Sequence, residues 1–119
     1  MANIEEFPNQ NKRQKDFKCS LGFAMTVIGS KWRAIILWHI LKAQPVRYGE
    51  LKKSIPNISH KVFSQELKAL EMDGLIKRIV YNTTPPKVEY FATARGKSLE
   101  CALTELCNWG KKYMNSNEI

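Results

Sequence analysis

From Tyr48 to Phe91 the chain changes its apolar period once, and that switch restricts the fold more than any other feature. Two short stretches with helical spacing come first. In "YGELKKSIP", Leu51 and Ile55 share one side of a helix that Pro56 ends, because proline lacks an N–H and its ring clashes with the preceding turn. In "SHKVFSQELKAL", Phe63, Leu67 and Leu70 fall on one face at about 100° per residue. Ser59 is placed to cap this helix, and Gly74 after "EMD" is a favoured left-handed stop. Past Gly74 the residues turn β-branched and aromatic: Ile76, Ile79, Val80 and Tyr81, a turn-prone "NTTPP", then Val88, Tyr90 and Phe91. Two short helices joined by "PNI" and followed at once by a hairpin make a helix-turn-helix with a wing.

The flanks read as helices. "CSLGFAMTVIGSKWRAIILWHILKA" pairs Phe23 with Val27, then spaces Trp32, Ile36 and Ile40 by four, with a break at Gly29-Ser30 and Ser30 as N-cap of the second helix. Thr93 is expected to cap a helix from Ala94 to about Met114, striped by Leu99, Leu103, Leu106 and Tyr113 with Trp109 beside them. So long a helix on so small a chain calls for a partner surface, and a second copy of the chain is the natural one. The expected architecture is α+β and mainly helical. A polar tail over residues 1–18 lacks fixed structure until it docks, a winged helix-turn-helix spans 19–93, and 94–119 form a dimerisation helix and tail of the same single domain.

Composition narrows the partners. With 119 residues, 44% of them apolar, the chain can bury one core. Nineteen Lys and Arg against eleven Asp and Glu leave a formal charge of +8, which favours polyanions such as nucleic acid. The longest apolar run, Ala34 to Leu41, is interrupted by His39 and falls far short of the roughly 20 residues that cross a bilayer. The first eighteen residues carry no secretory core, so the cytoplasm is the expected location, with no membrane partner. Only two histidines, His39 and His60, and two aspartates, Asp16 and Asp73, occur, in contexts that form neither a triad nor a metal site. Catalysis, metal and cofactor are accordingly not expected, and no residue pattern identifies a small-molecule effector.

The outer face of the second short helix holds Lys61, Ser64, Gln65 and Lys68, while Glu66 sits on a flank beside the apolar stripe. In a helix-turn-helix this face enters the major groove of double-stranded DNA. Lys61 can donate to guanine, Gln65 can pair with the adenine edge, and Ser64 serves either kind of base. Lys68, one turn on, suits a phosphate. His60 has several readings open: phosphate, base, backbone cap or solvent. Flanking cations recur at Arg47, Lys52, Lys77, Arg78 and Lys87. Solvated surface charge is the competing reading for each of them.

Seven motifs stand in a telling order: a cysteine before a short helix, "VIGSKW", "RYGEL", "IPNIS", "LKALEMDGLIKR", "PPKVEY" and "LCNWG". In these the chain resembles the HxlR-type winged-helix transcriptional regulators, from Cys19 to Tyr113. The resemblance implies a DNA-binding homodimer that inserts Ser59 to Met72 into the major groove and lays Asn82 to Lys87 along the backbone or minor groove. It also implies dimerisation through the terminal helices; Phe23, Leu99, Leu103, Leu106, Cys107, Trp109 and Tyr113 are the residues expected at that interface. Four positions depart from the pattern: Ser20, Thr26, Phe63 and Ala92. Phe63, where leucine is common, enlarges a core contact and is expected to tilt the recognition helix.

Members of that family sense oxidants or electrophiles at the position Cys19 matches, which makes Cys19 a candidate redox sensor. A helix N-terminus and Lys18 both favour a thiolate there; an unreactive, partly buried residue is the alternative. Cys101 and Cys107 do not share a face, which argues against an intrahelical disulfide. Fold does not fix function, so a winged-helix adaptor that binds protein and lacks specific DNA readout stands as the alternative to a regulator.

Overall fold

The computed structural model describes residues 18–115; of the expected N-terminal tail, all but Lys18 lies outside the described residues. Helix α1 (Ser20–Ile28) begins at Cys19, whose Sγ accepts the Gly22 N–H at 3.5 Å. Helix α2 (Arg33–Ala43) follows and is the centre of the core: Ile36, Leu37 and Ile40 are fully buried. It packs against the sheet, the helix over His60–Met72 and the last helix. Ser30 was expected to cap α2 directly. Instead Trp32 holds the cap position with no side-chain bond, and Ser30 Oγ takes the Arg33 N–H at 3.2 Å across the turn before it.

A two-residue strand, β1 (Val46–Arg47), was not anticipated, because two residues carry no alternation to read. It leads into α3 (Tyr48–Lys53), and Glu50 Oε1 accepts the Arg47 N–H at 3.2 Å to close the helix start. Helix α4 (His60–Met72) ends in a Schellman arrangement: Leu75 N–H donates to Leu70 O at 2.9 Å and Gly74 N–H to Glu71 O at 3.0 Å. Gly74 supplies the positive φ of 77° that this closure requires.

Strands β2 (Ile76–Tyr81) and β3 (Lys87–Ala92) form the expected hairpin, in register from Ile76↔Ala92 to Tyr81↔Lys87. Val46 pairs with Tyr90 on the other edge of β3, so the antiparallel sheet has the order β1-β3-β2. Side chains alternate across a strand, which sends Ile76, Tyr90 and Ala92 into the core.

The expected single C-terminal helix is broken in two, α5 (Ala94–Lys97) and α6 (Glu100–Tyr113). Thr93 does cap it, its hydroxyl accepting the Gly96 N–H at 3.1 Å. At the break, Leu99 N–H reaches Gly96 O at 3.1 Å, a tight three-residue bond, and the Ser98 hydroxyl turns back to Arg95 O. A serine that engages nearby carbonyls competes with helix continuation, and Gly96 is wedged against the Leu75 carbonyl.

His39 is half-buried in α2. Burial holds its imidazole below the ordinary 6.5. Above pH 6.5 the ring is neutral in both the folded and the unfolded chain, and stability is full. As pH falls through 6.5 the unfolded chain takes up the proton first, so stability declines until the folded ring is protonated as well. Melting temperatures at mildly alkaline and mildly acidic pH should differ less in His39→Gln than in the original chain; an equal difference would remove His39 from the acid response.

Candidate nucleic-acid interface

The turn between α3 and α4 is fixed from both sides. Ile55 and Ile58 are buried, and Asn57 between them adopts φ 70°, a left-handed conformation that asparagine tolerates better than most residues. Ser59 then starts α4, its hydroxyl accepting the Val62 N–H at 3.1 Å. The wheel expected from the sequence is observed: Phe63, Leu67 and Leu70 are buried, while Lys61, Ser64, Gln65 and Lys68 are exposed. Among the described residues, no hydrogen bond or ion pair ties Lys61, Gln65 or Lys68.

The flank of α4 is clamped to the start of α2. Glu66 accepts from Arg33 Nε at 3.0 Å and from the Ser30 hydroxyl at 2.9 Å, and Arg33 also donates to Val27 O at 3.4 Å. The carboxylate is thereby held off the outward face, leaving that face cationic.

Sequence reasoning missed Tyr48. Its ring packs on Phe63, with centroids 4.9 Å apart and planes at 58°, and lies nearly parallel to the His60 imidazole at 6.0 Å and 11°. Its hydroxyl lies 3.2 Å from His60 Nδ1 and 3.0 Å from Ser64 Oγ. His60 therefore has a partner that none of its sequence readings included. The available signal was an aromatic with a polar tip at the head of the first helix, three residues before the buried Leu51.

The expected wing cations diverge. Arg78 stands across from Tyr90 in the hairpin register, with its side chain exposed. Burial raises the Tyr90 phenol above 10.0, with Arg78 pulling it down. Arg78 and Lys68 meet in a crevice of about 300 Å³ between α4 and the hairpin, lined also by Ser64, Leu67, Glu71 and Tyr90. Lys77 lies on the opposite face by strand alternation. Lys87 pairs with Glu89 at 3.6 Å and lies 4.8 Å from the centre of the Tyr81 ring. The Glu89 carboxylate beside it raises the Tyr81 phenol above 10.0. Arg47 is exposed on β1, and Lys52 is half-buried on α3.

Of the residues expected at a dimer seam, Leu103 is buried in the chain's own core, and Phe23 and Leu99 pack partly against it. Cys107 and Tyr113 are half-buried, Tyr113 touching Trp109 at 5.1 Å. Leu106 and Trp109 are uncovered at 57% and 59% exposure, as are Leu21 and Met25 of α1. Cys19 and Cys101 are exposed. Among the described residues no cluster of His, Cys, Asp or Glu is placed to hold a metal ion, and no helix is long and apolar enough to cross a membrane.

A family model described as HxlR-like helix-turn-helix matches residues 27–118. An HTH-type transcriptional regulator of Bacillus subtilis, YtcD, is 45% identical over 102 residues, covering 86% of this chain and 80% of its own. A solved transcriptional regulator described as of the MarR family, from Porphyromonas gingivalis W83, superposes with a TM-score of 0.78 at 37% identity, over 82% of this chain and 95% of its own. The redox regulator HypR in its oxidized form superposes with a TM-score of 0.75 at 35% identity, over 79% of this chain and 96% of its own.

Proposed function

The chain belongs to the HxlR-like helix-turn-helix family of transcriptional regulators, not to a family of enzymes, and from that premise we propose that it binds an inverted-repeat DNA operator as a homodimer. The observation that carries this reading is the outward face of α4, where Lys61, Gln65 and Lys68 are exposed and the Glu66 carboxylate is tied down at the flank, Glu71 lying one turn beyond Lys68. Lys61 and Gln65 read base edges, while Lys68 and Arg78 take a phosphate at the crevice beside the wing. The uncovered Leu106, Trp109, Leu21 and Met25 support an apolar seam between two copies. Two-fold symmetry then sets the half-sites about one helical turn, roughly 34–36 Å, or a multiple of it, apart. The cytoplasm is the compartment in which such a reader meets DNA.

Selection of bound duplexes from a random pool by the reduced protein at physiological salt tests the reading. An enriched inverted repeat is expected. Lys68→Ala should weaken every sequence alike and flatten the salt dependence, whereas Gln65→Ala should relax one base pair at about 1–3 kcal/mol. No enrichment by a folded protein would favour the adaptor alternative, a rigid winged helix that binds protein.

Redox control through Cys19 is the finer part of the proposal. The exposed thiol at the head of α1 and the likeness to HypR, a redox regulator by its description, support it. Oxidant treatment should change the affinity of the original chain for its operator and leave Cys19→Ser unchanged. The same response in both proteins would remove Cys19 from that role.

A further inference from the structure

We infer that Tyr48 is a positioning residue that sets base specificity, its hydroxyl deciding whether Ser64 offers the groove an acceptor or a donor. The inference rests on the reading of α4 as the DNA-reading helix. A free serine serves either kind of base edge, because its hydroxyl rotates to suit. Ser64 is not free: Tyr48 Oη lies 3.0 Å from its Oγ and 3.2 Å from His60 Nδ1. The Tyr48 hydroxyl has one proton to share between these two neighbours.

When His60 Nδ1 is the unprotonated nitrogen of the ring, Tyr48 donates to it and accepts the Ser64 proton. Ser64 then faces the groove with lone pairs alone, which suits the amino groups of adenine or cytosine. When Nδ1 carries the proton, the chain of bonds reverses. Tyr48 accepts from His60 and donates to Ser64, whose own proton is released toward guanine O6 and N7 or thymine O4. Either way the preference of Ser64 is decided one helix away. The Tyr48 ring packs on Phe63 and lies nearly parallel to His60, so its hydroxyl is directed by packing.

Tyr48→Phe keeps the ring on Phe63 and deletes the hydroxyl. Duplex selection with the full chain, Tyr48→Phe, Ser64→Ala and the double variant reads the outcome, with melting curves to establish folding. Tyr48→Phe and Ser64→Ala should broaden the same base pair in each half-site. The preference there should fall about fivefold, the change expected for one neutral hydrogen bond, and the double variant should lose no more than Ser64→Ala. Unchanged preferences in Tyr48→Phe beside a broadened Ser64→Ala would reduce Tyr48 to a packing residue and overturn the inference. Should Tyr48→Phe fail to fold, His60→Phe keeps a ring over Tyr48, removes Nδ1 and must broaden that same pair; intact preferences there overturn it equally. Enrichment of no sequence by the original chain would defeat the DNA-reading proposal itself, an outcome separate from any difference among variants.

Discussion

Phe63→Ala should cost about 3–5 kcal/mol of folding stability, the range for removing a fully buried phenylalanine and leaving a cavity. The side chain is 0% exposed at the centre of the apolar face of α4, so no solvent enters to offset the lost contacts. Against a typical total of about 5–15 kcal/mol for a domain, a loss of this size removes a large share of the margin. Denaturant titration at constant slope measures it; a loss below about 1 kcal/mol would mean that the neighbouring helices collapse into the space. Phe63→Leu should cost only about 1 kcal/mol, being closer in volume. Yet Tyr48 rests on the Phe63 ring at 4.9 Å, so the smaller residue should shift the Tyr48 hydroxyl relative to Ser64.

Gly96→Ala should destabilise the chain by about 3 kcal/mol, the upper part of the range for overpacking. A Cβ at this position would stand 2.1 Å from the Leu75 carbonyl oxygen, and the obstacle is backbone, which cannot rotate aside. That carbonyl also accepts the Thr93 N–H at 3.0 Å, while the Thr93 hydroxyl donates to Gly74 O at 2.6 Å. Relief of the clash therefore pries α5 away from the end of α4 and releases the seat of the last helix. On a chain of this size the melting temperature should fall by roughly 10 °C. An unchanged melting temperature would show that α5 moves without resistance.

Periodicity made the helix-turn-helix and the hairpin legible. Phe63, Leu67 and Leu70 repeat often enough to define a face, Ser59 and Gly74 mark its ends, and each landed where local chemistry put it. Features that depend on contact between distant segments were not legible. Strand β1 exists because Val46 and Arg47 meet Tyr90 and Glu89 across the sheet, and the break before α6 follows from a glycine pressed on a carbonyl 21 positions earlier in the chain. The same holds at the candidate interface. Which face of α4 points outward could be counted along the sequence; that the Tyr48 hydroxyl occupies Ser64 and His60, or that Arg33 anchors Glu66, depends on two helices crossing at a particular distance. Leu103 illustrates the limit of a stripe: spacing put it on the same face as Leu106, yet Leu103 is in the core and Leu106 in solvent.

The outward residues of α4 differ in how readily they can change. Lys61, Gln65 and Lys68 are tied to nothing among the described residues, so replacing them leaves the scaffold intact. Ser64 and His60 are bound to α3 and Glu66 to the start of α2, and altering any of them disturbs a neighbour. On the reading of α4 as the DNA-reading helix, substitution in the first set changes contacts alone, whereas substitution in the second also disturbs the packing of the helices beneath.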